Sequence, residues 1–298
     1  MPLILLPRLR LLSLALFLAI VCTLPGVAAT QKASLAQILS AAVPSPSAPF
    51  SLYRWDRFPA ILIFDTADFR FQDRMFSRLA FFLEKRGFRG HLLDNDTLKT
   101  MHGWNAHDYG AQGLADFFNA ASLEGFHLNA EEITLRDLAL EEGTILTARD
   151  RCAAGQGGII SISRSSTPIE RRFLLIHESF HGIFFASAEY RAFCFRLWDS
   201  LRPGERAFFR DFLNELGYDG ESPFLAVNEF QAYLMQQPVA WAPAFFQRTL
   251  SRFGPAGGDF SAAEIERPAR ALASFLESRF GIRAGGTLEP ARAQAERG

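Results

Sequence analysis

The stretch LLIHESFHGIFF, residues 174–185, constrains the fold more than any other, because it places two histidines and a glutamate inside an otherwise apolar run. Just before it, Thr167 is followed by Pro168 and, three residues after the threonine, by Glu170. This is the pattern of a helix start: a threonine cap, proline at the first helical position and a glutamate that bonds back to the cap. The sequence therefore predicts a well-defined helix with an apolar, buried face that carries three titratable side chains.

On that helix, His177 and His181 lie one turn apart on the same face, so both imidazoles can reach one ion. Glu178 lies about 100° round the helix, close enough to contact a metal-bound water without being a ligand. Zinc suits two neutral imidazoles and a carboxylate, and an open fourth position holds a water molecule of lowered pKa. The alternative is that both histidines bond to carbonyl groups in the core and that Glu178 pairs with Arg171 or Arg172.

A third protein ligand is needed, and Glu229 in AVNEFQAYLM is the best candidate. It lies in the middle of a predicted helix among apolar residues, where a carboxylate is costly unless something compensates it. The alternative is a glutamate on a solvated face. A rival ligand is Glu189, but on a continuous helix it lies about 12 Å beyond His181 and reaches the same ion only if the helix breaks.

These residues resemble the gluzincin zinc metallopeptidases, which carry His-Glu-x-x-His on one helix and a glutamate ligand, often within Asn-Glu-x-x-Ala, on a later one. Here the two motifs are HESFH at 177–181 and NEFQA at 228–232. The resemblance covers residues 155–240. It implies an α+β, zincin-like fold that is mainly helical with a small mixed sheet. It also implies an edge strand above the site, here GGIISISRS at 157–165, that binds an extended peptide by strand addition.

The resemblance further implies roles for single residues. Glu178 would assist the attack of a zinc-bound water on a peptide carbonyl. The zinc ligands would be His177, His181 and Glu229. Some gluzincins have an aspartate at the position of Tyr233 to orient the first histidine, so the corresponding acceptor is not identified here. Tyr218, Tyr190 and Tyr233 are candidates for the oxyanion donor, and Tyr218 is expected to be the least buried. The alternative for each tyrosine, and the more common case, is a packed ring with a solvated hydroxyl.

Residues 51–150 are predicted to form an N-terminal α/β region that flanks the site. The pattern indicates a strand-helix-strand unit made of PAILIFD, FQDRMFSRLAFFLEKRGF and GHLLD. Mostly helical sequence follows. Within it, His107-Asp108-Tyr109 is expected to be a polar helix start, the alternative being a substrate-contacting cluster contributed by this half of the chain.

The two ends of the chain are predicted to lie outside the fold. Residues 1–29 have the basic, apolar and small-residue parts of a signal peptide, with cleavage after Ala29, and an uncleaved anchor is the alternative. Residues 30–50 are expected to be a linker and residues 285–298 a disordered tail. The catalytic, zincin-like region would then span residues 151–284.

The charge and the cysteines limit the partners and the compartment. The formal net charge is -1, without a basic stripe, so nucleic acid is not an expected partner. No stable membrane insertion is expected after signal cleavage. Cys152 and Cys194 would remain in an oxidising compartment, where they either form a disulfide or stay separate thiols.

Together these patterns predict an exported zinc-dependent metallopeptidase, periplasmic or secreted, that hydrolyses a peptide or protein substrate. The alternative is a non-catalytic exported protein that keeps the architecture in order to bind a peptide or a partner. The oligomeric state has no sequence signal.

Overall fold

The protein has an α+β fold in which helices cover a small mixed sheet. The computed structural model describes residues 30–41, 48–253 and 261–289. The five-stranded sheet has the order β1-β2-β3-β7-β4, and β5 and β6 form a separate hairpin. The strands are β1 Gln31–Ala33, β2 Phe50–Trp55, β3 Ile61–Thr66, β4 Ala106–Gly110, β5 Ile145–Ala148, β6 Arg151–Ala154 and β7 Gly158–Ser163.

The two central strands are buried on both faces, which explains their nearly continuous apolar sequences. β3 and β7 pair in parallel, with Ile63 opposite Ile160, and every residue of both strands is buried. β4 pairs antiparallel with β7 and is the outermost strand on that side of the described sheet.

Eleven α-helices occur in the described residues, and they pack on the two faces of the sheet. They are α1 Leu35–Ser40, α2 Phe69–Leu83, α3 Asn95–Leu98, α4 Ala111–Leu123, α5 Ala130–Glu141, α6 Pro168–Ala186, α7 Ala188–Asp199, α8 Pro203–Glu215, α9 Pro223–Met235, α10 Ala242–Phe253 and α11 Glu266–Phe280. One apolar cluster joins Ile61 and Ile63 to α6, α7, α8, α9 and α11. The other joins Leu62 and Phe64 to α2, α4 and α5. Alternate side chains of β3 thus serve opposite layers.

The helix predicted from LLIHESFHGIFF is α6, and it starts as the sequence indicates. Thr167 accepts a hydrogen bond from the backbone N–H of Glu170, whose side chain accepts one from the backbone N–H of Thr167. Gly182 lets the helix approach the sheet closely, because a Cβ there would lie 3.3 Å from a methyl carbon of Ile61. The apolar face is less completely buried than expected, since Phe173 is 42% exposed.

Three predictions about the sheet are wrong. GHLLD is not a strand, because the chain turns at Gly87 and Gly90, both with positive φ, and continues without regular structure. His107-Asp108-Tyr109 is not a helix start but the middle of β4. The segment 157–165 does form a strand, β7, but it lies inside the sheet between β3 and β4 and offers no free edge.

The structure also differs from the predicted ends of the fold. Within the expected linker, residues 30–41 form β1 and α1, and Leu35 and Ile38 are buried in the core. Within the expected tail, Thr287 is 2% exposed and its side-chain oxygen accepts a hydrogen bond from Ser179 on α6. Residues 1–29, the predicted signal peptide, lie outside the described residues, as do 42–47 and 290–298.

Cys152 and Cys194 are both free thiols, so of the two interpretations the structure has the separate thiols. Cys152 is half-buried on β6, and Cys194 is buried in α7. Among the described residues, no helix combines the length and apolarity that crossing a membrane requires.

Candidate metal centre

Three buried side chains from two helices converge on one point. The Nε2 atoms of His177 and His181 are 3.1 Å apart, and Oε2 of Glu229 lies 3.7 Å from each of them. Around a tetrahedral ion with bonds of about 2.0–2.1 Å, donor atoms are separated by about 3.3 Å. The donor spacing therefore fits a zinc-sized ion with little adjustment.

The helix positions explain the convergence. His177 and His181 project from the same face of α6, and α9 packs against α6 with Glu229 in its middle. The rival ligand Glu189 lies elsewhere: α6 ends at Ala186, and Glu189 is an exposed residue of α7 that pairs with Arg279.

Glu229 is an unusual carboxyl group because it is fully buried and neither of its oxygens has a hydrogen-bond partner among the described residues. The pKa of Glu229 is raised to about 8. Burial is the main cause, His181 opposes it, and the charge of Asp108 adds to it. The pKa of His177 is lowered to about 4 by burial, against the opposing effect of Gln236. A cation between the three groups would offset the free-energy cost of burying the Glu229 carboxylate and would bind the neutral form of His177.

The side chain of Gln236 orients His177. Its Oε1 accepts a hydrogen bond from Nδ1 of His177 over 2.8 Å, and both residues are buried. An amide oxygen only accepts, so the proton lies on Nδ1 and the lone pair of Nε2 points towards the convergence point. The sequence analysis did not find this partner. A signal was available, since Gln236 follows Glu229 by seven residues and so lies on the same helix face.

Asp108 on β4 is the corresponding neighbour of His181. Its Oδ2 lies 3.5 Å from Nδ1 of His181 and accepts a hydrogen bond of 2.8 Å from Nδ2 of Asn228. A carboxylate beside Nδ1 favours the tautomer with its proton there. Both Nε2 lone pairs then face each other and the Glu229 carboxylate, an arrangement of acceptors only.

Glu178 lies beside this centre and has no ion-pair partner in the described part of the chain. It is 5% exposed, and its Oε2 has no hydrogen-bond partner among the described residues. Arg171, one of the predicted partners, instead forms an ion pair with Asp65. Burial, followed by the charges of Asp108 and Glu229, raises the pKa of Glu178 well above its usual range. Potential ligand atoms of Glu178, Asp108 and His181 lie within 4.8 Å of one another.

Two of the three candidate tyrosines lie near the centre. Tyr218 stacks on Trp104 with 4.5 Å between ring centroids and is hydrogen-bonded to Tyr233. Tyr233 packs its ring edge against His177, at 4.7 Å between centroids. Tyr190 is instead fully buried and donates to Gln231. The expectation that Tyr218 is the least buried is wrong, since it is 8% exposed whereas Tyr233 is only half-buried.

Comparison of the chain with protein-family models, with curated proteins and with solved structures gives no match. The resemblance to gluzincins thus rests on the two motifs at 177–181 and 228–232 and stays a prediction.

A cavity of about 470 Å³ opens beside the metal centre. Its wall includes Asp108 and Gly110 of β4, Asn228 and Leu225 of α9, and Phe185 at the end of α6. This volume lies within the range of ordinary ligand sites. The cavity therefore reaches Asp108, the neighbour of His181, and Asn228, the neighbour of Glu229 in the sequence, whereas His177, Glu178, His181 and Glu229 themselves do not line it.

Proposed function

We propose that the protein is a zinc-dependent peptidase that hydrolyses peptide bonds without a covalent intermediate. The observation that carries this proposal is the meeting of three buried side chains whose potential ligand atoms lie 3.1 to 3.7 Å apart. His177, His181 and Glu229 would hold the ion. Two neutral imidazoles and one carboxylate form a ligand set that zinc accepts while leaving a fourth position open.

When bound, zinc polarises a carbonyl group and lowers the pKa of water towards neutrality. Glu178 accepts the proton of the attacking water and passes it to the leaving amine. Tyr218 is the proposed donor to the developing oxyanion, and its hydroxyl remains protonated because burial raises its pKa well above the usual value.

The substrate would bind along β4 rather than along β7. β4 is the outermost strand next to α6, and Asp108, Tyr109 and Gly110 line the cavity. An extended peptide can pair with such a free strand edge through its main chain, whereas an interior strand has no free groups to offer.

Export to the periplasm or the medium is part of the proposal and rests on residues 1–29 of the sequence. The first described strand begins at Gln31, two residues after the expected cleavage site, so cleavage would leave every strand of the described sheet intact.

The alternative, a non-catalytic protein that binds a peptide or a partner, was motivated by the unidentified acceptor for His177 and the unidentified oxyanion donor. Gln236 supplies such an acceptor, and Tyr218 lies close to the centre. We therefore prefer hydrolysis, in which Glu178 has a chemical role.

Metal analysis combined with a peptide-cleavage assay tests the proposal. The wild type is expected to bind one zinc ion per chain and His177→Ala none. Glu178→Gln should retain zinc and lose at least 100-fold in turnover, because general-base assistance is worth about 10²–10⁴-fold. The matched control is Glu189→Gln, a change at an exposed glutamate that should alter neither property. Zinc-free wild type, or full activity in Glu178→Gln, would contradict the proposal.

A further inference from the structure

Three hydrogen-bond acceptors lie together on the wall of the cavity, outside the set of zinc ligands. Glu84, Asp108 and Asn228 all line it, with exposures of 5%, 8% and 3%. They come from the end of α2, from β4 and from α9. The zincin motifs assign a role to none of their three side chains.

The side-chain oxygen of Asn228 is a hydrogen-bond acceptor that receives no hydrogen bond from the described residues. Its Nδ2 donates to Oδ2 of Asp108, and since a carboxylate only accepts, the remaining atom of the amide must be the oxygen. That Oδ1 is buried and has no hydrogen-bond partner among the described residues. A buried acceptor left without a hydrogen bond is unfavourable, because it has lost its contact with water and gained no replacement. The group therefore indicates a ligand that donates hydrogen bonds.

Glu84 adds a carboxyl group to the same wall. Its Oε2 accepts a hydrogen bond of 2.7 Å from Nε1 of Trp104, and in the described part of the chain it forms no ion pair with an arginine or lysine. The adjacent Lys85 instead donates to the carbonyl oxygen of Gly103 and places its ammonium over the Trp104 ring. Burial, then the charge of Asp108, raises the pKa of Glu84 well above its usual range.

The charges of the whole centre indicate a cationic ligand. Carboxyl groups are contributed by Glu84, Asp108, Glu178 and Glu229, and a divalent ion would balance the ionised forms of only two of them, so a further cation would favour ionisation of the others. Two arginines also line the cavity, but each is already engaged: Arg89 pairs with Asp219, and Arg191 donates to the carbonyl oxygens of Phe184 and Phe185.

From these acceptors we infer that Glu84, Asp108 and Asn228 bind a primary ammonium group of the substrate. An ammonium offers three N–H donors and one positive charge, which matches three side-chain oxygen acceptors on one wall, and its charge would favour the ionised forms of Glu84 and Asp108. This inference rests on the proposed peptidase function. It deepens that function by naming the substrate class: peptides with a free amino terminus, cleaved after their first residue.

The position of the acceptors favours the α-amino group over a lysine side chain. Asn228 directly precedes Glu229, and Asp108 lies 3.5 Å from Nδ1 of His181, so the ammonium would lie next to the metal centre. An α-amino nitrogen is two bonds from the carbonyl carbon of its own residue, whereas a lysine ammonium is six bonds away. Phe185, Phe224 and Leu225 line the same cavity and would contact an apolar first side chain.

Calorimetric titration of zinc-loaded Glu178→Gln tests binding without turnover. The probes are leucinamide, N-acetylleucinamide and N-acetyllysinamide, of which only the first has an α-ammonium group. Leucinamide is expected to bind at least 10-fold more tightly than the other two. Equal binding of leucinamide and N-acetylleucinamide would overturn the inference, and preferred binding of N-acetyllysinamide would overturn the choice of the α-amino group.

Cleavage assays of the zinc-loaded wild type use a leucyl peptide and its N-acetylated form. The free peptide is expected to have at least 100-fold higher kcat/KM. Glu84→Gln should reduce that ratio at least 10-fold with unchanged zinc content. The matched control is Asp116→Asn, a change at a carboxylate of the same cavity that is bonded to Gln112.

The two proposals fail in different ways. Cleavage of both peptides at equal rates would refute the ammonium site and support the peptidase. Tight leucinamide binding without cleavage of any peptide would support the ammonium site and refute hydrolysis.

Discussion

Removal of the Gln236 side chain should weaken zinc binding by 10- to 100-fold. Gln236 holds the Nδ1–H of His177 through a hydrogen bond of 2.8 Å and is 3% exposed, so water does not readily replace it. In Gln236→Leu, the buried N–H loses its acceptor and the imidazole loses its fixed tautomer and orientation. Partners of this kind contribute about 10- to 100-fold in metal affinity, or about 1.4–2.7 kcal/mol.

The neighbouring Gln237 provides a matched control. It is also buried, but its Nε2 donates to the backbone carbonyl oxygen of Tyr233 and does not touch a zinc ligand. Gln237→Leu removes the same number of polar atoms, so its zinc affinity should stay within about 3-fold of wild type. The assay is competition for zinc against a chromophoric chelator at constant pH, with thermal unfolding of each metal-free variant to check the fold. Equal affinity losses in both variants would refute the orienting role of Gln236.

Three other substitutions test the structure. Glu229→Gln should abolish the thermal stabilisation of the protein by zinc. It should also raise the unfolding free energy of the metal-free protein, because it replaces a buried carboxyl group that has no hydrogen-bond partner in the described residues and whose pKa is raised to about 8. Calorimetry with and without zinc measures both effects. Burial lowers the pKa of His107 to about 3. Between pH 6.5 and pH 3 the imidazole therefore binds a proton in the unfolded chain but not in the folded chain. The unfolding free energy should fall by up to about 1.4 kcal/mol per pH unit as the pH drops through this range. His107→Gln should flatten this slope in urea titrations, and an unchanged slope would contradict the assignment. Thr167→Ala removes the cap of α6 and should lower the unfolding free energy by about 1 kcal/mol in denaturant titrations, with zinc content unchanged.

Local sequence signals were sufficient for the helices that carry the ligands. The cap at Thr167 and Pro168 predicted the start of α6, and α9 also begins with a proline, Pro223. A helix start depends on residues within one turn, so it can be recognised without knowledge of the rest of the fold. The predicted ligands His177, His181 and Glu229 do meet in the structure.

The contribution of β4 could not be predicted in the same way. Its residues AHDYG form a strand because they pair with β7, where Asp108 lies opposite Ile160 more than fifty positions later in the chain. Such pairing leaves little trace in a five-residue segment with a histidine and an aspartate at its centre. The neighbour of His181 was missed for this reason, because its position depends on a distant strand.

The order of the strands also differs from the expected one: β7 is an interior strand, whereas the resemblance implied an edge strand that binds a peptide. An apolar run between glycines indicates a buried strand, but the run itself does not state which strands lie on either side. The early segment 30–41 was assigned to a linker because Ala and Ser are common in it, although Leu35 and Ile38 have the spacing of a helix that packs on one side.

The origin of Asp108 in β4 has a consequence for the timing of activity. All three proposed zinc ligands lie beyond residue 176, yet the strand that places a carboxylate behind His181 belongs to the first half of the chain and joins the sheet only through contacts of long sequence separation. Such contacts form slowly during folding. If the protein is exported and hydrolytic as proposed, a polypeptide still in a translocation channel would contain the proposed ligands without the assembled centre, and it would be inactive towards neighbouring proteins until it had folded.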